Sequence, residues 1–393
     1  MTHIEWLSRL IAYPTISSDS NLELIETVQE ALVARGAVVK TFPDPTGKKA
    51  SLLARLGPEG NDGLMLSAHV DVVPVAGQSW THPPFELTRD DERLYGRGTT
   101  DMKGFVACVL AMAEALETKT LTKPLWIALS YDEEVGCAGV GDMLSFIKGR
   151  GIRPDFVVVG EPTSLRIGVG HKGKIGYRAD CHGLARHSAE APLALNALHL
   201  ATDIVVALRK IQADLVENGA REEGYSVPYA TVHSGVLNGG TAVNIVPSTA
   251  TLIFEARFPV IEDSTSLDKR IRQSIDAISN EAALRLEGTG IVLQETLAYP
   301  GLAVDPRLPA LRRFASCLPD GTETCRLSFG TEGGLFSQAL GVPVVVCGPG
   351  DMTQGHQPDE FIEASQLEAC NAMLGQTIEL FCGSASEPSL NKS

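Results

Sequence analysis

Four short apolar runs, each with His, Asp or Glu at or past its end, limit what this chain can become more than any other feature. They span residues 64–70, 125–131, 156–160 and 342–347. Runs of this length match strands covered on both faces. Helical spacing separates them, as in 104–117. Nearer the start, 4–12 reads as a short amphipathic helix ahead of a turn at Pro14. Segment 21–35 carries Leu24, Val28, Leu32 and Val33 at helical intervals. This alternation predicts an α/β layer structure with a largely parallel sheet.

The rhythm changes from about residue 175 to 297. Segment 175–182 alternates like a strand and 193–216 is a long helical pattern. Two strands follow at 229–237 and 250–258, then a helix over 267–286 and a last strand at 291–297. The order βαββαβ is that of a ferredoxin-like domain, here inserted into the α/β one. The expected limits are 1–174 and 291–393 for the two parts of the first domain and 175–290 for the insertion. The tail from Gly383, rich in Ser, Glu, Asn and Lys, reads as mobile.

With 393 residues, 44% of them hydrophobic and 21% charged, the chain is long enough for two or three cores and shows no sign of extended disorder. A net charge of −15 argues against nucleic acid as a partner, because a polyanion would be repelled. None of the eight cysteines stands in a CxxC pair, and several lie in apolar runs, so reduced thiols in a cytosolic protein are expected. The start lacks a charged segment followed by an apolar core, so no signal peptide is read there. No apolar run is long enough to span a bilayer.

The residues at and just beyond the ends of these runs are chemically uniform. The first run ends in Ser67-Ala68-His69-Val70-Asp71 and the second in Tyr131-Asp132-Glu133-Glu134. The third ends in Gly160-Glu161-Pro162-Thr163. The fourth leads to Gln354-Gly355-His356-Gln357-Pro358-Asp359-Glu360. Asp101 follows Gly96-Arg97-Gly98 and precedes a helix. In open α/β sheets ligands gather beyond the carboxyl ends of the strands, so these side chains are expected at one rim. Imidazole and carboxylate suit zinc, at roughly 2.0–2.2 Å per bond. Two His with three acids exceed what one open tetrahedral ion needs. They fit two ions roughly 3.5–4 Å apart that share a carboxylate. Taken singly, each motif also has an ordinary structural reading as a turn or a solvated helix face.

Together the motifs resemble one family. Ser-Ala-His69-Val-Asp71-Val-Val-Pro, Tyr-Gly-Arg-Gly-Thr-Thr-Asp101-Met-Lys-Gly, Asp-Glu133-Glu134-Val-Gly, Gly-Glu161-Pro-Thr and Gly-His356-Gln-Pro-Asp-Glu are similar, in order, to those of acetylornithine deacetylase, succinyl-diaminopimelate desuccinylase, aminoacylase and the glutamate-releasing carboxypeptidases. The resemblance implies a zinc-dependent catalytic domain holding two Zn2+ per chain, with Co2+ as a substitute. It also implies an inserted lid that forms a homodimer. Asp101 would bridge the ions, with His69 and Glu161 on one and Glu134 and His356 on the other. Asp71 would orient His69 from behind, and Glu133 would be the general base and acid. Gly183-Leu-Ala-Arg-His187-Ser-Ala resembles the lid segment whose His assists catalysis, although Arg186 and Ala189 depart from the usual residues there.

Gly239-Gly-Thr-Ala-Val-Asn244-Ile-Val-Pro resembles the loop that holds the substrate carboxylate. Arg257, on the following strand, would add a bidentate contact or else form a salt bridge on the lid. Gly330-Thr331-Glu332 is similar to acetylornithine deacetylases and unlike the desuccinylase segment. Glu332 would contact an amine on ornithine or else serve as a helix N-terminal carboxylate. The implied substrate is a small N-acyl amino acid, acetylornithine first, in arginine biosynthesis. An aminoacylase, desuccinylase or dipeptidase of the same chemistry is the alternative. A silent scaffold with this fold is the reading least in keeping with a complete ligand set and base.

Overall fold

The computed structural model describes residues 1–116 and 121–383, so Glu117 and the tail from Ser384 lie outside the described residues. The chain forms two compact units. One comprises Met1–Gly170, Ala303–Arg326 and the chain from Thr331; the other comprises His171–Leu302 with Leu327–Gly330.

The first unit opens with α1 (His3–Ile11) and α2 (Leu22–Ala34), then β1 (Val38–Pro43), β2 (Ala50–Leu56) and β3 (Leu64–His69). Thr2 and Glu5 form a capping box that starts α1 at its first possible residue. Short strands β4 (Thr88–Asp90) and β5 (Arg93–Tyr95) precede α3 (Lys103–Ala115). β6 (Leu125–Ser130), α4 (Gly141–Gly149), β7 (Phe156–Pro162) and β8 (Ile167–His171) follow. β3, β6 and β7 are buried at every residue, which is why their sequences are mostly apolar. α3 is buried nearly all round and packs against α1.

The second unit runs β9 (Gly173–His182), α5 (Ala197–Asn218), β10 (Thr231–Gly239), β11 (Thr249–Phe258), α6 (Ser264–Arg285) and β12 (Gly290–Tyr299). The antiparallel sheet has the order β10-β11-β9-β12. Ile175, Tyr177, Ala179 and Cys181 of β9 alternate into the core beside Leu252, Phe254, Ala256 and Phe258 of β11. Leu200, Ile204, Leu208, Ile211 and Leu215 of α5, with Leu267, Ile271 and Ile275 of α6, cover that face. Each such aliphatic side chain contributes about 1.5–3 kcal/mol relative to exposure. β12 belongs to this unit, which therefore continues past residue 290, the limit expected from sequence. β12 pairs with β9 in the sheet, as the strand read at 291–297 in the βαββαβ order requires, so the boundary at 290 falls short and the strand reading holds.

The chain then returns to the first unit through β13 (Leu302–Ala303), α7 (Pro309–Ala315), β14 (Thr324–Leu327), α8 (Gly333–Leu340), β15 (Val344–Gly348), β16 (Phe361–Glu363) and α9 (Ala364–Cys382). The large sheet has the order β1-β2-β6-β3-β7-β15-β8-β13, with β14 beside β8. It is parallel at its centre, where β3 pairs with β6 and β7 and β15 pairs with β7. The flanks are antiparallel: β1 to β2, β2 to β6, and β8 to β15. Among the described residues no helix is long and apolar enough to cross a membrane.

Candidate metal centre

Sheet order assembles the first unit's acidic cluster. β3 ends at His69, which stands opposite Ser130, the last residue of β6. Glu133 and Glu134 lie in the turn just beyond. β7, on the other side of β3, carries Glu161 near its end. His356 comes from the loop after β15, and Asp101 from the loop before α3.

The contacts centre on Asp101. Its Oδ1 lies 3.0 Å from His69 Nε2 and its Oδ2 lies 3.0 Å from His356 Nε2. His356 Nε2 is also 3.1 Å from Glu134 Oε1, and His69 Nε2 is 3.9 Å from Glu161 Oε1. Potential ligand atoms of His69, Asp101 and Glu134 lie within 4.8 Å of one another, as do those of His69, Glu133 and Glu161. His69, Asp101, Glu161 and Glu134 are at most 7% exposed in their side chains, whereas His356 is 41% exposed, so the cluster opens on the His356 side. All five residues expected as ligands, and Glu133, are thus brought together.

The electrostatics explain what such a cluster needs. Burial pushes the Glu133 and Glu161 carboxyls well above the usual range, and neighbouring carboxylates add to the push. Burial likewise raises Glu134 to about 7, with Asp101 contributing. Burial also opposes the charge on Asp101, yet hydrogen bonds from His356 and His69 overcome it and hold that carboxyl well below its ordinary value. The bonds to Asp101 and Glu134 raise His356 to about 10. Burial works against a charged His69, but the bonds to Asp101 and Asp71 outweigh it and raise the imidazole well above its ordinary value. Protons therefore collect where the carboxylates crowd. Positive ions at the same place would relieve that crowding directly, so the donor set fits divalent metal.

Asp71 stands behind the cluster and ties two parts of it together. Its carboxylate accepts from Ser17 Oγ at 2.7 Å, Glu133 N at 3.1 Å and Glu134 N at 3.3 Å. The nearest acceptor to His69 Nδ1 is the Asp71 main-chain oxygen, at 3.0 Å; the Asp71 carboxylate is 3.5 Å away. The backbone carbonyl therefore does much of the orienting expected of the side chain.

Other members carry no signal that sequence spacing alone picks out. Arg97 Nη1 donates to Glu360 Oε2 at 2.7 Å, both side chains being 1% exposed. Glu360 Oε1 in turn accepts from the Thr100 and Asp101 amides at 2.9 and 3.1 Å. Arg97 also donates to Gln78 Oε1, and Gln78 Nε2 donates to the His356 carbonyl. The loops of Asp101 and His356 are thereby held by one network. Arg97 and Glu360 both stand inside motifs that the sequence displays, but nothing in their spacing pairs them.

Glu332 does not fit direct contact with a substrate amine. It is 1% exposed, sits at the N-cap of α8, and its Oε1 has no hydrogen-bond partner among the described residues. Burial raises its carboxyl to about 7. Its surroundings are Ser130, Ser67, His69 and Asp71, the underside of the cluster.

The second unit has its own polar group. His187 and Asn244 are exposed, and their loop segments meet: His187 bridges to Ile245, and Ser188 N donates to the Asn244 carbonyl at 2.9 Å. His187 Nδ1 accepts from Ala189 N at 3.2 Å. Arg257, on β11, is paired through Nε with Glu255 Oε1 at 2.7 Å, and Glu255 also holds Lys174. The salt bridge expected as the alternative for Arg257 is therefore present within the second unit.

The comparisons agree with this architecture. Residues 65–380 match the model of peptidase family M20/M25/M40. The chain is 34% identical to acetylornithine deacetylase of Proteus mirabilis (strain HI4320), over 97% of each chain. It is 32% identical to the acetylornithine deacetylase of Yersinia pestis, over 96% of this chain and 97% of that one. Among solved structures, the M20 family metallo-carboxypeptidase Sso-CP2 from Sulfolobus solfataricus superposes with a TM-score of 0.76 at 19% identity, covering 96% of this chain and 99% of that one. The di-peptidase Dug1p from Saccharomyces cerevisiae gives 0.77 at 16% identity, covering 96% and 95%. With most of its length matched and its acidic cluster at the ends of the central strands, the chain belongs to peptidase family M20/M25/M40, as a metal-dependent hydrolase.

Proposed function

We propose that this protein cleaves the amide of N2-acetyl-L-ornithine to give acetate and L-ornithine, a step of arginine biosynthesis, using two Zn2+ held by His69, Asp101, Glu134, Glu161 and His356. The observation that supports the chemistry is Asp101, which offers one carboxylate oxygen to each imidazole at 3.0 Å. The substrate rests on relatives named acetylornithine deacetylase that match nearly end to end. Bound divalent ions would supply Lewis acidity, drawing electron density from the acyl carbonyl and acidifying the attacking water.

The chain's own residues do the rest. Glu133 takes the proton from the attacking water and returns it to the amide nitrogen, which leaves only as the neutral amine. Because His187 Nδ1 accepts from Ala189 N, the ring proton sits on Nε2, ready to donate to the developing oxyanion. Asn244 and the two Nη groups of Arg257 bind the α-carboxylate, while Arg257 Nε stays with Glu255.

Two further parts of the proposal have structural support. β10 is an edge strand, and Val236, Leu237, Val243 and Ile245 on it and its loop are exposed, as a homodimer through the second unit requires. All eight cysteines are free, in keeping with the reducing cytoplasm.

The test is acetate or acyl release from a panel of N-acetyl, N-succinyl and N-formyl amino acids and dipeptides, with chelator and with zinc or cobalt restored. N-acetylornithine should lead in kcat/KM by roughly tenfold or more, the discrimination expected of a site built around particular polar groups. A preference for succinyl substrates, or turnover indifferent to chelator, overturns the reading.

A further inference from the structure

The turn that carries Glu133 closes on itself. Gly136 N and Cys137 N both donate to the Glu133 carbonyl, at 2.8 and 2.9 Å, and Ala138 N donates to the Asp132 carbonyl at 3.0 Å. Cys137 has φ +57°, a left-handed backbone that usually falls to Gly or Asn. Its side chain is 5% exposed and turns back on the base: Sγ lies 3.4 Å from Glu133 Oε1. Among the described residues this is the one hydrogen bond that the Glu133 carboxyl receives.

We propose that Cys137 is a positioning residue whose thiol fixes the rotamer of Glu133 and so leaves Oε2 as the oxygen that handles the proton. The inference rests on Glu133 being the base. Burial and the Glu133 charge push the thiol well above its ordinary value, so the sulfur keeps its proton and remains a donor. A thiol is a weak donor. It orients a carboxylate without draining its basicity as a hydroxyl or amide would. A residue with a polar side chain in left-handed backbone costs the fold something, and here the side chain reaches the group on which proton transfer depends.

The experiment compares Cys137→Ala, Cys137→Ser and Glu133→Gln, alone and combined, in the full-length metal-loaded protein. Cys137→Ala should lower kcat roughly tenfold, a part of the ~10²–10⁴-fold that a placed acid–base group supplies. KM and metal content should stay unchanged. Cys137→Ser should recover part of the loss. In the Glu133→Gln background Cys137→Ala should add nothing. Independently of turnover, the infrared S–H band isolated by subtracting Cys137→Ser should shift when Glu133 becomes Gln.

An unshifted band overturns the hydrogen bond itself. A Cys137→Ala kcat within twofold of the parent overturns the positioning role, and so does a loss that follows metal content instead. If Glu133→Gln alone keeps near-normal turnover, the base assignment fails while the S–H band still reports on the contact.

Discussion

The two units put polar side chains to use under opposite conditions. In the first, the cluster is buried at the ends of central strands, and carboxylates crowd until protons or metal ions compensate them. In the second, His187 and Asn244 lie exposed on loops, and Arg257 already has a partner in Glu255. Burial makes each side chain of the first group indispensable to its neighbours, since an unpaired charge there is costly. Exposure leaves each side chain of the second free to act singly. Substitutions should therefore act collectively in the first unit and one at a time in the second.

The sharpest break of that contrast is Asp101→Ala. It removes the group shared by both imidazoles, so elemental analysis should find both metals depleted and turnover at background. Loss of one ion only would show that the sites are separable. Next comes Glu133→Gln, which should retain two metals and lose roughly 10³-fold or more in kcat. Metal lost along with activity would make Glu133 a ligand. His187→Ala should lower kcat by roughly 10²–10³-fold with little change in KM, as expected for one oxyanion donor. The smallest effect is that of Arg257→Ala. Losing a hydrogen bond to a charged group, worth about 1.5 kcal/mol, should raise KM on the order of tenfold and leave kcat nearly intact. Esterifying the substrate's α-carboxylate should add little to that change. Full additivity of the two would detach Arg257 from the carboxylate.

The difference between the units also governs what sequence can disclose. The β3, β6, β7 and β15 segments are readable because strands buried on both faces must be apolar, and the polar residues that meet the rim stand at or beyond their ends. The alternation in β9 and β11 announces the second unit in the same way. β1 and β2 escape a reading of this kind because their place depends on antiparallel pairing, β1 to β2 and β2 to β6, not on their own pattern. Ser17 on Asp71 and Arg97 on Glu360 are contacts across long stretches of chain that no local spacing encodes. Sequence leaves Glu332 as either a substrate-facing group or a helix N-terminal carboxylate, and packing favours the second, since it is buried at the N-cap of α8.

The network around Glu360 has a consequence for how the protein comes into being. Arg97 and Glu360 lie 263 residues apart, and His356 meets Glu134 across 222. On the ribosome, the segment bearing His69, Asp101 and Glu134 emerges long before its remaining partners, with the entire second unit translated in between. Until that last stretch docks, the Asp101 loop lacks the carboxylate that grips its amides. Completion of the cluster on its His356 side thus waits for nearly the whole chain to be made. A chain stopped short of residue 356 would carry the acidic half of a centre and no means of completing it.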